Sequence, residues 1–182
     1  MDRLNHKPLS VTVEPATAEQ APILSQLLEL YSHDFSELLE LPIGEDGRFG
    51  YPYLPLYWRE PTRFPFLVRA DGALAGFVLI RQGSLVSGAP EVYDVSEFFV
   101  LRGYRRRGVG HEAAFATWRH FPGRWEVRVS QNNAAALAFW QRTINAFTGD
   151  LLTPTLVGSD GKYMHLFCFE SPASTEPDPR HC

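Results

Sequence analysis

The segment EVYDVSEFFVLRGYRRRGVGHEAAFATWRHF, residues 91–121, constrains the fold more tightly than any other part of the chain. Its first third is rich in β-branched and aromatic residues, the composition of a strand. Its last third is made of good helix formers and stops at Pro122-Gly123. Between them, residues 101–115 hold four arginines and three glycines. The unit is therefore strand, glycine loop, helix. A helix N-terminus leaves its first N–H groups unpaired and carries about half a positive charge, so it attracts anions. Gly108 and Gly110 strip side chains from that approach, while Arg105, Arg106 and Arg107 add positive charge around it. The window is built to cradle a pyrophosphate.

The rest of the chain is not basic. Its net charge is −4 and its pI about 5.9, so the anion site is local and neither nucleic acid nor an anionic membrane is an expected partner. With 182 residues, 45% hydrophobic and 21% charged, the expectation is one folded domain over residues 1–170 and a polar, frayed tail over 171–182. The N-terminus lacks the apolar middle of a signal peptide, no run spans a bilayer, and Cys168 and Cys182 make no disulfide framework; the expected location is cytoplasmic. The six scattered histidines have no ligand spacing, so no metal is expected.

Other elements follow from periodicity. LSVTVEPAT alternates as a strand, and Thr17 is positioned to cap a helix carrying Ile23, Leu24, Leu27, Leu28 and Tyr31. Residues 42–65 mix prolines, glycines and aromatics, which predicts an ordered loop. Asp71-Gly72 joins two strands as a hairpin, RWEVRVS alternates as a strand, and NNAAALAFWQRTI is a helix capped by Asn132 or Asn133. A closing hairpin is expected around Asp160-Gly161.

The arginine-glycine window carries neither a P-loop nor a full Gly-x-Gly-x-x-Gly fingerprint. It does carry Arg-x-x-Gly-x-Gly at residues 105–110, and NAAALAFW at 133–140 follows after the next strand. These two elements, in this order, resemble the acyl-CoA-dependent N-acyltransferases of the GNAT superfamily, a resemblance that extends to the element order from about residue 9 to 169. It implies an α/β (α+β) single domain: a mixed, largely antiparallel sheet of six to seven strands flanked by helices. The fourth and fifth strands would splay to admit the pantetheine arm of acetyl-CoA.

By the same resemblance, Phe98, Phe99 and Val100 offer backbone to the pantetheine, and Arg105, Arg106, Arg107, Gly108, Val109, Gly110 and His111 hold the pyrophosphate. Asn133 is either a cofactor contact or a helix cap, and Phe139 either a cofactor contact or core. Where many members carry a thiolate-protonating tyrosine, this chain has Trp140, too weak an acid for the role. Tyr104, Tyr93 or a water would then serve, or the thiolate leaves unassisted.

Acetyl transfer needs a base to deprotonate the acceptor amine. Glu97 and Asp94 are the candidates, Glu97 preferred. Their separation of three puts them on opposite faces of a regular strand, unless a bulge intervenes. Tyr31, Asp34, Tyr53 and Trp58 are the candidate acceptor contacts, with an aromatic mini-core as the competing role for the rings. The expected acceptor is a small-molecule or peptide amine, and the resemblance admits a homodimer. The rival function is a non-catalytic acetyl-CoA-binding regulatory domain, motivated by Trp140.

Overall fold

Strand and helix alternate along the chain as the hydrophobic period switches between two and 3.6 residues. The computed structural model describes residues 8–159 and 162–173. In chain order it has β1 (Val11–Pro15), α1 (Ala21–Phe35), β2 (Arg63–Ala70), β3 (Ala73–Gln82), β4 (Tyr93–Val100), α2 (Val109–His120), β5 (Gly123–Ser130), α3 (Ala134–Thr148), β6 (Thr155–Ser159) and β7 (Lys162–Ser171). Short 3-10 turns cover Ala18–Gln20, Leu54–Trp58 and Arg102–Tyr104. Thr17 starts the first of these turns, its amide donating to Gln20 Oε1 at 3.0 Å, and α1 begins only after it, with Pro22 in the first turn. The tip of the closing hairpin, Asp160-Gly161, and the tail from residue 174 lie outside the described residues. Ser171, placed in the tail by the sequence, instead ends β7, where its buried hydroxyl donates to the Trp118 carbonyl at 2.7 Å.

The seven strands form one sheet in the order β1-β2-β3-β4-β5-β7-β6. Every neighbouring pair is antiparallel except β4 and β5. The β2–β3 hairpin turns on Asp71 and Gly72, both at positive φ (48° and 78°), the geometry that an Asp-Gly pair favours. The expected mixed, largely antiparallel sheet of six to seven strands is thus present with seven.

Each face of the sheet has its own core. On one face α2 and α3 cover Trp118, Trp125, Trp140, Val127 and Phe167. On the other, α1 and the Leu54–Trp58 turn cover Leu24, Leu27, Leu28, Tyr57, Phe77, Leu79 and Phe99. The three α1 leucines are each at most 4% exposed, and burying each contributes roughly 1.5–3 kcal/mol, which docks a helix too short to be stable alone. The loop between α1 and β2 is ordered by a polar contact as well: Glu29 accepts the amides of Phe49 and Gly50 at 2.8 and 3.0 Å.

Strand β4 borders both cores and contains a bulge. Leu79 of β3 pairs with Glu97, but Ile80 pairs with Val95, so Ser96 is an extra residue. Val95, Phe98 and Val100 therefore face α2 and α3, while Phe99 faces α1. The same alternation puts Glu97 and Asp94 together on the α1 face. The opposite-face arrangement of a regular strand does not apply here, because the bulge restores the phase.

Candidate functional site

Strands β4 and β5 run parallel and pair only at Tyr93 with Trp125 and Asp94 with Glu126. Beyond Asp94 they part. From Val95 to Val100, β4 keeps its antiparallel partner β3 on one side and has, among the described residues, no strand partner on the other. A row of backbone N–H and C=O groups thus borders the opening, the kind of edge to which an extended amide chain adds.

At the end of that row stands the arginine-glycine loop. Arg106 and Gly108 have positive φ (59° and 84°), and Gly108 caps α2. A left-handed residue here costs little for glycine and turns successive amides to one side, the kind of concavity in which anions bind. Glu112 N bonds Gly108 O at 3.0 Å, and residues 105–108 form a hydrogen-bonded turn that leads into the first turn of α2, whose leading amides have no partner within the helix. The side chains of Arg106 and Arg107 are exposed and in no ion pair among the described residues. Val109 is instead fully buried core, and the His111 ring lies on Phe115 at 4.1 Å.

Arg105 and Asp34, expected at the cofactor and at the acceptor respectively, are engaged with each other. The Arg105 side chain turns back from the loop, donating to the Val100 carbonyl at 2.7 Å and to Asp34 Oδ2, with its guanidinium carbon 5.5 Å from the Phe99 ring centre. Arg102 adds two bonds to Asp34 Oδ1, at 3.1 and 2.7 Å. The carboxylate placed by sequence as an ammonium contact is already held by two guanidinium groups. Burial opposes its ionisation, but the bonds from Arg102 and Arg105 outweigh this and keep Asp34 below the usual carboxylate range.

Asn133 caps α3, its side-chain oxygen accepting from Ala136 N at 2.9 Å. Phe139 packs against Phe98, 5.8 Å between ring centres, and Gly110 makes room for it: a Cβ there would lie 3.2 Å from two Phe139 ring atoms. Trp140 is 7% exposed, wedged between Phe98 and Trp118. Tyr93 stacks on Trp125 at the paired end of the two strands, away from where they part.

On the α1 face, Glu97 receives a hydrogen bond on each carboxylate oxygen, Oε2 from the Tyr31 hydroxyl and Oε1 from the Tyr51 hydroxyl at 3.0 Å. Burial pushes its carboxyl above the ordinary range, while the two tyrosines and the charge of Arg128 pull part of the way back. Burial and the neighbouring Glu97 charge raise both tyrosines, so they stay neutral donors. Asp94, fully buried, is bound in a two-pronged pair by Arg128, at 2.8 and 2.9 Å. Both carboxylates face the same side, yet Asp94 is in an ion pair and Glu97, among the described residues, is in none. Tyr53 is 56% exposed and lies edge-on to Tyr51, whereas Trp58 gives its N–H to the Ala16 carbonyl at 2.9 Å and packs on the α1 core.

Sequence reasoning missed the bonds from Tyr51 to Glu97 and from Arg128 to Asp94. For Arg128 a signal existed: the alternation of RWEVRVS puts Glu126 and Arg128 on one face, charges that a central strand retains only with partners. For Tyr51 there was none, since a loop has no period.

Comparison with known proteins agrees with this geometry. The family model for the Acetyltransferase (GNAT) family matches residues 24–145. An acetyltransferase from Thermus thermophilus superposes with a TM-score of 0.64 at 22% identity, over 90% of this chain and 98% of that one. The ribosomal-protein-S18-alanine N-acetyltransferase from Escherichia coli gives 0.60 at 15% identity, covering 92% and 97%. RimJ from Mycobacterium smegmatis, in complex with CoA-disulfide, gives 0.59 at 18% identity, covering 91% and 86%. No curated protein matches by sequence. Two thirds of the chain fall within the family match, and the parted strands, glycine loop and helix stand where its fold requires them: the chain belongs to the GNAT family of acetyltransferases.

Proposed function

We propose that the protein transfers an acetyl group from acetyl-CoA to a primary amine, with Glu97 as the proton acceptor. One observation carries this reading. The opening between β4 and β5 leads to the glycine turn and the N-terminus of α2, and the stretch of β4 that borders it carries Glu97, held by two tyrosines and in no ion pair among the described residues.

The residues present fit acetyl-CoA. The amides of residues 106–111, with Arg106 and Arg107, would hold its pyrophosphate, and the unpaired edge of β4 at Phe98–Val100 would meet its pantetheine amides. When bound, acetyl-CoA supplies an activated thioester carbonyl. An acceptor ammonium near pKa 10 must lose a proton before its nitrogen can form the amide bond. Glu97 takes that proton, directly or through a water. Its raised proton affinity brings it nearer the operating pH than an ordinary carboxylate. Tyr31 and Tyr51 fix its orientation. No acid stands at Trp140, and a thiol near pKa 8.5 needs none to leave; Tyr104, on the turn before the glycine loop, or a water remains to protonate it.

The acceptor is a small-molecule or peptide amine. Neighbours named for acetylating ribosomal proteins support beginning with peptide N-termini. Cytoplasmic action and a homodimer belong to the same proposal, tested by fractionation and sedimentation. The buried tryptophan favours a second reading, acetyl-CoA binding without turnover. Incubation with acetyl-CoA and a panel of N-terminal peptides and small amines, read by mass spectrometry, separates them. Acetylated product supports transfer; binding with no product across the panel supports the second.

A further inference from the structure

Asp34 sits in the last turn of α1, where the helix dipole disfavours a carboxylate. Two guanidinium groups from the Arg102–Arg105 stretch hold it there all the same. Arg105 makes the more demanding connection. Its Nε reaches the Val100 carbonyl, its Nη2 reaches Asp34, and its plane lies over Phe99, so the whole side chain is committed away from the loop that follows. The Phe99 ring is also met edge-on by Tyr31, 5.9 Å away, and Tyr31 holds Glu97. Tyr31 and Asp34 are three residues apart and share one face of α1. One helix therefore touches the proton acceptor through Tyr31 and the root of the anion-binding loop through Asp34.

We propose that Asp34, acting through Arg105 and Arg102, is a positioning residue that fixes the root of the glycine loop, so that the amides of residues 106–111 are aimed before any anion arrives. Arg105 is then part of the scaffold and not a phosphate ligand. The inference rests on the reading that this loop binds CoA. It has a distinct physical signature. If Arg105 contacted phosphate directly, removing the Asp34 charge would free it and leave binding unchanged or tighter. If Asp34 positions the loop, removing that charge loosens the amides, and the ordering is lost from the binding free energy.

Calorimetric titration of the full chain with CoA distinguishes the two. Asp34→Asn is expected to weaken CoA binding about tenfold through lost preorganisation. KM for acetyl-CoA should rise in parallel, with kcat changed less than about twofold, and Asp34→Glu should recover part of the loss. Arg105→Gln should weaken binding comparably, and the double variant should be no worse than either single one, as for residues acting as a unit. Circular dichroism checks the fold; should Asp34→Asn fail to fold, Arg102→Gln reads the same connection from the other side, weakening CoA binding if the Asp34 pair positions the loop and leaving it unchanged if it does not. CoA binding in Asp34→Asn equal to or tighter than wild type would overturn the proposal while leaving the cofactor reading intact. No binding by the wild type would remove the cofactor reading and this inference with it.

Discussion

The two faces of β4 carry opposite chemistry within eight residues. Toward α2 and α3, Val95, Phe98 and Val100 enter a core of tryptophans. Toward α1, Asp94 and Glu97 stand beside Phe99, one paired with Arg128 and the other held by two tyrosines. A single inserted residue, Ser96, lets both faces keep their character along the strand. The apolar face is stability without titration; the polar face is titration set into a stable wall.

That contrast predicts different failures. Arg128→Met should be the most damaging to stability, because it leaves fully buried Asp94 without a counter-ion; breaking a buried pair costs about 3–5 kcal/mol, read from denaturant unfolding. Trp140→Ala attacks the other face and should cost at the lower part of the same range, about 3 kcal/mol, while leaving the pH dependence of turnover in place. A changed pH profile there would erase the distinction between the faces. Gly110→Ala should cost roughly 1–3 kcal/mol, because its methyl group must displace Phe139.

Tyr51→Phe has the smallest expected effect on stability and the most specific one on titration. It removes a donor that favours the charged form of Glu97, so the acid limb of kcat/KM should move to higher pH. The linkage has a definite sign. Glu97 has a raised affinity for protons in the native state, so the native state binds more protons than the unfolded chain just above the ordinary carboxylate range. Stability contributed by this group is present at low pH and falls as pH rises through that window, and Tyr51→Phe should widen it upward.

Legibility in the sequence follows the same division. The strand-loop-helix unit, the Asp-Gly hairpin and the helix cap at Asn133 are readable because each is fixed by local backbone rules. The parting of β4 and β5 is foreseeable only through family resemblance, since no local pattern encodes how far two strands stay paired. The polar face is least legible. Asp34 and Arg105 have residue types suited to ligands, but long-range contacts across 71 positions commit them to each other. The bulge at Ser96 enters a sequence reading only as a condition, because its presence depends on register with β3 and not on the β4 sequence.

The central claim is that Glu97 accepts the acceptor's proton, and the pH dependence of kcat/KM for acetyl transfer in wild type and Glu97→Gln tests it most directly. The wild type is expected to show an acid limb above the ordinary carboxylate range, and Glu97→Gln to lose that limb with a fall of about 10²–10⁴ in rate. Unchanged turnover with an unchanged limb in Glu97→Gln would contradict it.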